Sequence, residues 1–175
     1  MGWLLAALTL LSLSTTFACT TLVFGRKATK DGSVLASHTN DADGAGAGNI
    51  NHVPAQDWPA NSTRAPGIPQ ISHTYAYHEE GYAAMNEHQV GLGESTCACV
   101  FNGAGGSAKI NIVALSQIGL ERGATAQEAI AIMGSLAEEN GFKGDGSFEG
   151  SGESLMVVDK VEAWLFHILP DDTGS

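Results

Sequence analysis

The feature that most constrains the fold is the junction at Ala18 and Cys19, where an apolar leader meets a strand-forming segment. Residues 3–13 form an apolar run with the length of a signal-peptide core, and this run is too short to span a bilayer. Thr16 and Ala18 are small residues of the kind that precede a signal-peptidase site. A lipoprotein leader usually carries Leu where Thr16 stands. We therefore predict cleavage after Ala18 and entry into the secretory pathway, to a secreted or lumenal, lysosome-like destination.

This cleavage divides the chain into a signal peptide, residues 1–18, and one domain, residues 19–175. Of the 175 residues, 43% are hydrophobic, which is enough to build a single core. The 22 Gly and the charged fraction of only 15% favour turns and strands over a helical bundle. The formal net charge of −11 disfavours nucleic acid and anionic membranes as partners, because both require clustered Lys and Arg. The sequence leaves the oligomeric state open.

Hydrophobic periodicity predicts strands followed by two helices and a final hairpin. Asp31-Gly32 predicts a tight hairpin between strands at residues 20–24 and 33–39, and residues 44–70 predict a long surface loop that could cover a pocket. The other predicted strands are residues 71–77, 81–84, 90–93, 97–101, 154–158 and 163–169, and the predicted helices are residues 110–122 and 126–140.

The second helix has the clearest boundaries. Thr125 and Glu128 form a capping box before it, in which each side chain accepts a hydrogen bond from a backbone N–H. Gly141 follows its last residue and predicts a left-handed terminating conformation.

An N-terminal cysteine combines a nucleophile and a base in one residue. A thiol has a pKa of about 8.5 and an α-amino group one of about 7.7 to 8.0, so the amine of Cys19 can accept the thiol proton without a histidine. The thiolate would then attack an amide carbonyl and form an acyl-enzyme. The alternative is a secreted, non-catalytic binding protein in which Cys19 forms a disulfide. Cys97 and Cys99 share one face of a strand, and we interpret them as buried small side chains or as bridged to a residue outside the chain.

Few other side chains indicate chemistry. Asp41 follows the second strand of the hairpin, so it lies at the same end as Cys19 and could hold an ammonium group. A nearby Asn side chain could stabilise the oxyanion of the intermediate. No spacing fits a zinc or calcium site, so we expect neither a metal nor a cofactor. Asn61-Ser62-Thr63 is an acceptor sequence for N-glycosylation at Asn61.

An ordered set of motifs extends over nearly the whole chain beyond the leader. The motifs are Ala18-Cys19-Thr20-Thr21, Gly25-Arg26-Lys27-Ala28-Thr29, Asp31-Gly32-Ser33, Gly81-Tyr82, Met85-Asn86-Glu87-His88-Gln89-Val90, Gly93-Glu94-Ser95-Thr96, Leu120-Glu121-Arg122, Thr125-Ala126-Gln127-Glu128-Ala129-Ile130, Gly152-Glu153-Ser154, Asp159 and Glu162-Ala163-Trp164. In this order they resemble the secernin-like cysteine dipeptidases, which belong to the N-terminal-nucleophile hydrolases.

The resemblance implies a role for several residues. Cys19 is the expected nucleophile and its own α-amino group the expected base. Asp41 stands at the acidic position near the nucleophile, and His38 stands about where related amidases have an Arg beside the substrate. Asn86 is the expected oxyanion donor, with Thr96 as the competing candidate for that role, and His38 and Thr96 are the expected substrate-binding residues.

The resemblance also implies a fold and a substrate class. The fold would be the four-layer αββα sandwich, of the α+β class with mostly antiparallel strands, and the substrates would be dipeptides. Family members are more than twice as long, so we expect this chain to be an N-terminal portion that contains only part of the sandwich. An amidase or acylase of the same superfamily is the alternative enzyme, because the substrate-facing loops do not decide between them.

Overall fold

The chain forms an α+β fold in a computed structural model that describes residues 19–41, 49–97, 106–144 and 152–170. The strands are β1 (Thr20–Phe24), β2 (Leu35–Thr39), β3 (Asn51–Val53), β4 (Gln56–Asp57), β5 (Thr63–Ala65), β6 (Ile68–Pro69), β7 (His73–Thr74), β8 (Tyr77–Glu80), β9 (Tyr82–Asn86), β10 (Gly91–Cys97), β11 (Ile110–Asn111), β12 (Phe142–Lys143), β13 (Gly152–Val158) and β14 (Ala163–Ile168). The helices are α1 (Ile112–Arg122) and α2 (Ala126–Asn140), and neither is long and apolar enough to cross a membrane.

A six-stranded antiparallel sheet in the order β14-β13-β10-β9-β8-β3 is the centre of the described structure. Its strand residues alternate between two faces. Leu92, Leu155 and Val157 are buried in a core that they share with residues of α1 and α2. Gly93 and Ser95 belong to the opposite face, where the β1–β2 hairpin packs. The mostly antiparallel α+β class is therefore confirmed.

The β1–β2 hairpin is present, but its turn is longer than predicted. The strands pair in antiparallel register from Thr20 opposite Thr39 to Phe24 opposite Leu35, so residues 25–34 form the connection. Asp31 stabilises this loop, since its Oδ1 atom accepts hydrogen bonds from the backbone N–H and the hydroxyl of Ser33. Asp-Gly therefore makes a local turn inside a wider loop and does not itself join the strands.

Both predicted helices form, with small changes at their ends. α1 begins two residues later than predicted, because Asn111 caps it through a hydrogen bond from the N–H of Ala114 while Ile110–Asn111 forms a strand with Phe142–Lys143. The α2 bounds are as predicted. Thr125 Oγ1 accepts a hydrogen bond from the N–H of Glu128, although the Glu128 carboxylate binds the N–H of Ala124.

The end of α2 differs from prediction in one angle. Gly141 has the predicted positive φ of 68°, but its ψ of 152° is extended and not left-handed helical. The positive φ still requires glycine at this position.

The segment predicted as a long loop, residues 44–70, contains regular structure that the sequence does not indicate. β3 joins the edge of the central sheet, and β5 and β6 pair with each other. Arg64 fastens the segment to α1 through hydrogen bonds of 2.9 and 3.0 Å from its Nε atom to both carboxylate oxygens of Glu121. Strands of two or three residues are too short to produce a periodic pattern. Residues 44–48 of the predicted loop lie outside the described residues.

The final hairpin is confirmed, and Asp159 connects its turn to α2. Asp159 Oδ1 accepts hydrogen bonds from the N–H groups of Val161 and Glu162, and Oδ2 accepts one from the N–H of Ala126 in the first turn of α2. Burial alone would raise the pKa of this carboxyl group, but the three N–H donors and the charge of Lys160 outweigh burial and hold the pKa below its ordinary value.

Replacing Asp159 with Ala is expected to lower the free energy of unfolding by about 2 to 3 kcal/mol at neutral pH, because three N–H groups lose a charged acceptor. The folded-state pKa is depressed, so this stabilisation is complete above the unfolded pKa of about 4 and is lost as pH falls through the folded value. Urea unfolding at pH 7 and at pH 3 measures both effects. A difference between wild type and variant that is as large at pH 3 as at pH 7 would contradict the ionic origin.

Candidate active site

Cys19 directly precedes β1 and is held against the central sheet. Its carbonyl oxygen accepts a hydrogen bond of 2.8 Å from the hydroxyl of Ser95 on β10. This contact fixes the start of the hairpin on the sheet face opposite the helices. The residue is half-buried and its thiol is free, so among the described residues Cys19 forms no disulfide. The thiol is therefore available for chemistry.

Asp41 lies beside the thiol, as the hairpin geometry predicted. The backbone N–H of Asp41 lies towards the Cys19 sulfur and lowers the pKa of the thiol, whereas the Asp41 carboxylate is close enough to raise it electrostatically. Thr39 orients that carboxylate, because its hydroxyl donates to Asp41 Oδ2 over 3.2 Å and accepts from the N–H of Thr20 over 3.0 Å. The two hairpin strands thus hold the thiol and the carboxylate in a fixed relation.

The surroundings of Cys19 oppose formation of a thiolate. Burial raises the pKa of the thiol above its ordinary value, and the Asp41 N–H only partly offsets this. The negative charges of Glu94 and Asp41 raise the pKa further. Without a positive group beside the sulfur, the residue is mostly a neutral thiol at pH 7. Any nucleophilic role therefore requires a nearby base or cation.

His38 serves to position the hairpin on the sheet. Its Nε2 atom lies 2.6 Å from the carbonyl oxygen of Glu94, and because a carbonyl only accepts, Nε2 must carry the proton. The hairpin approaches so closely that a Cβ atom on Gly93 would lie 3.0 Å from the Cβ of His38 and 2.7 Å from the Cε of Met156. A side chain at position 93 would therefore displace Met156 and His38. The predicted contact of His38 with substrate stays a prediction.

Glu94 and Thr96 belong to the helix-facing side of β10. Glu94 is 2% exposed, its Oε1 atom accepts a hydrogen bond of 3.0 Å from the Thr96 hydroxyl, and its Oε2 atom has no hydrogen-bond partner among the described residues. Side chains alternate along a strand, so the hydroxyl on the hairpin side of the sheet is that of Ser95 and not that of Thr96. The sequence analysis missed Ser95, although the small residues at 91, 93 and 95 indicate a face that another element covers closely.

Asn86 is placed differently from what the resemblance implied. The side chain is buried, and its Nδ2 atom donates to the carbonyl oxygens of Leu120 and Gly123 over 2.9 and 2.7 Å. Its Oδ1 atom accepts from the N–H groups of His88 and Val90. All four hydrogen-bonding positions of the amide are therefore occupied. In this arrangement Asn86 joins a sheet turn to the α1–α2 junction and has no N–H left for an oxyanion.

Replacing Asn86 with Ala is expected to lower the free energy of unfolding by about 3 to 5 kcal/mol, because buried donors and acceptors lose their partners. Asn86→Asp is the matched variant. This variant keeps the hydrogen bonds that the Asn86 side chain accepts and loses the two that it donates. It therefore tests the contacts to the α1–α2 junction separately. Thermal unfolding measures both. Variants with wild-type stability and a lowered kcat would contradict the structural role and support the oxyanion role.

Two predicted features remain to be placed. Asn61 is exposed in a turn with φ of 65°, where its side chain is accessible. Cys97 is half-buried, and its sulfur lies 3.6 Å from the carbonyl oxygen of Ser95, whereas Cys99 lies outside the described residues. Among the residues that the structure describes, no three His, Cys, Asp or Glu side chains could hold a metal ion.

A free thiol fixed at a strand end could act as the nucleophile of a cysteine-dependent hydrolase once a base activates it. Comparison with protein families identifies the class of protein. The model described as peptidase family C69 matches residues 18–172, and the chain belongs to this family of secernin-like dipeptidases. The resemblance noted from the motifs is thus confirmed, and the protein is a peptidase by family. No curated protein matches the chain.

Proposed function

We propose that the protein is a cysteine-type exopeptidase that hydrolyses dipeptides, with Cys19 as an N-terminal nucleophile. The observation that carries the proposal is the position of Cys19, held by Ser95 at the start of β1 with Asp41 beside its thiol, in a chain of a peptidase family. The family match begins at residue 18, next to the proposed cleavage site. Removal of residues 1–18 would place a free α-amino group on the nucleophile itself.

The new α-amino group would supply the base that the Cys19 thiol lacks. Burial and the charges of Glu94 and Asp41 keep the Cys19 thiol protonated, and an amine on the same residue accepts its proton. The resulting ammonium stabilises the thiolate, and the Asp41 carboxylate, oriented by Thr39, stabilises the ammonium. The three groups would then form one unit that requires no histidine.

The reaction proceeds through an acyl-enzyme. The Cys19 thiolate attacks the peptide carbonyl, and the carbonyl electrons move to oxygen to give a tetrahedral oxyanion. The Asp41 N–H, which lies towards the sulfur and lowers the pKa of the thiol, could donate a hydrogen bond to this oxygen once sulfur is bonded to carbon. The ammonium returns its proton to the leaving amine. Water, deprotonated by the amine, then hydrolyses the thioester and releases the second product.

The four-layer sandwich is the fold that we propose for the complete domain. The order of helices, central sheet and β1–β2 hairpin agrees with three of its layers. We also propose the secretory route, which the leader and the exposed sequon at Asn61 support.

The deciding experiment is N-terminal sequencing and intact-mass measurement of the secreted protein, followed by a screen of dipeptides. We expect a chain that begins at Cys19 with a free amine, a glycan on Asn61 and hydrolysis of dipeptides. A blocked or displaced N terminus would remove the base and overturn the mechanism. A correctly processed protein that cleaves only acyl amides would instead identify an acylase.

A further inference from the structure

A cleft of about 230 Å³ lies between β2 and the central sheet and has no role in the steps above. Apolar groups form most of its wall, including Ala36, Met85, Met156 and Val158. The cleft is open because two of its lining residues on β10, Gly91 and Gly93, have no side chain. A Cβ atom on Gly91 would lie 3.2 Å from Val158, and one on Gly93 would contact Met156 and His38.

The cleft begins close to the nucleophile. His38 and Glu94 line one end of it, and Glu94 directly precedes Ser95, which binds the Cys19 carbonyl. On β2, His38 is adjacent to Thr39. Thr39 pairs with Thr20 of β1, and Thr20 is the residue that follows Cys19. Two residues along a strand span about 7 Å. The end of the cleft nearest to Cys19 is therefore within reach of the side chain of a substrate residue whose carbonyl the thiol attacks.

The chemistry of the lining selects an apolar group. Met85 and Met156 are flexible and adapt to side chains of different shape. Glu80 is the acidic residue of the lining, since the Glu94 side chain lies on the helix-facing side of the sheet. Neither Lys nor Arg is among the described residues that line the cleft, so an anionic side chain is disfavoured. The volume is below the roughly 300 to 1,000 Å³ of pockets for drug-sized ligands, which fits one amino-acid side chain.

We propose that this cleft binds the side chain of the substrate's N-terminal residue, the residue whose carbonyl Cys19 attacks, and that it selects apolar side chains over glycine and over acidic ones. This inference rests on the proposed function. The acidic surroundings agree with such a substrate, because its free ammonium group lies next to the attacked carbonyl. Met85 is the adjustable wall, since it is 48% exposed and its replacement leaves the core intact.

The test is a change of selectivity in Met85→Trp, which narrows the cleft. The ratio of kcat/KM for a leucyl dipeptide to that for the glycyl dipeptide is expected to fall about 10-fold, the effect of a misfitted apolar pocket. Leu165→Trp is the matched control, because Leu165 is similarly exposed and does not line the cleft. An unchanged ratio in Met85→Trp, or an equal fall in Leu165→Trp, would overturn the inference.

A second measurement separates this inference from the proposed function. Leucyl and glycyl chloromethyl ketones alkylate the Cys19 thiol without turnover. Dividing each alkylation rate by the rate with iodoacetamide removes differences in thiol reactivity between the variants. Wild type is expected to prefer the leucyl reagent, and Met85→Trp to lose that preference. If no dipeptide is hydrolysed, the proposed function fails while this preference still tests the cleft. Equal normalised rates in wild type would refute the cleft.

Discussion

Replacing Cys19 with Ser is expected to lower kcat/KM for dipeptide hydrolysis by about 10³-fold or more, since loss of a nucleophile commonly costs that much or more. Serine keeps the shape of the side chain, but its hydroxyl group loses a proton far less readily than a thiol. The carbonyl of Cys19 that binds Ser95 belongs to the backbone and is unaffected. Stability should therefore stay within about 1 kcal/mol of wild type. Steady-state kinetics and thermal unfolding of the processed protein measure the two quantities.

The chain provides a matched control in Cys97→Ser. Cys97 is also half-buried, and its sulfur contacts a backbone carbonyl near the same strand end. We expect this variant to retain wild-type kcat/KM within about threefold, because neither the thiol nor its hydrogen bond takes part in the reaction. Wild-type rates in Cys19→Ser, or an equal loss in Cys97→Ser, would contradict the assignment of the nucleophile.

A chain that begins at Ala18 is expected to be about 10² to 10⁴-fold less active than one that begins at Cys19, the usual contribution of a general base. Both forms have the same thiol and differ only in whether the free amine is on the nucleophile. In the longer form burial and the charges of Glu94 and Asp41 hold the pKa of the thiol above its ordinary value. In the shorter form the new ammonium group lowers that pKa.

Thiol labelling with iodoacetamide measures the difference without substrate. The thiolate reacts, so the rate for the Ala18 form should rise steeply with pH and be slow at pH 7. The form that begins at Cys19 should react about 3- to 10-fold faster at pH 7, because a larger fraction of its thiol is ionised. The increase is limited because a thiolate with a lower pKa is a weaker nucleophile. Equal pH profiles for the two forms would mean that the amine does not activate the thiol.

The sequence determined the parts of this protein that depend on local patterns. Strand-forming composition predicted the strand that follows Cys19 and the strands of the final hairpin, because β-branched and aromatic side chains favour extended backbone. Thr125 predicted the start of α2, because its hydroxyl accepts a hydrogen bond from a backbone N–H of the first turn, and Gly141 predicted the end, because its positive φ suits glycine. Ordered motifs identified the family and with it the candidate nucleophile.

The position of Asn86 shows why a motif does not determine the role of a residue. The sequence places Asn86 beside Glu87 and His88, but its two N–H groups bind Leu120 and Gly123, more than thirty residues away in the chain. Contacts between elements this distant depend on how the helices pack on the sheet, which no local pattern records.

Tertiary structure alone decided which groups surround the Cys19 thiol. Ser95 and Glu94 are neighbours in sequence, yet Ser95 binds the Cys19 backbone while the Glu94 side chain lies on the other face of the sheet, because successive side chains point to opposite sides. The cleft likewise requires Gly93 and Met156 on paired strands to meet the hairpin at the same place. The sequence therefore determined the candidate nucleophile and the elements that carry it, whereas the packing of the hairpin on the sheet determined the chemical environment of its thiol.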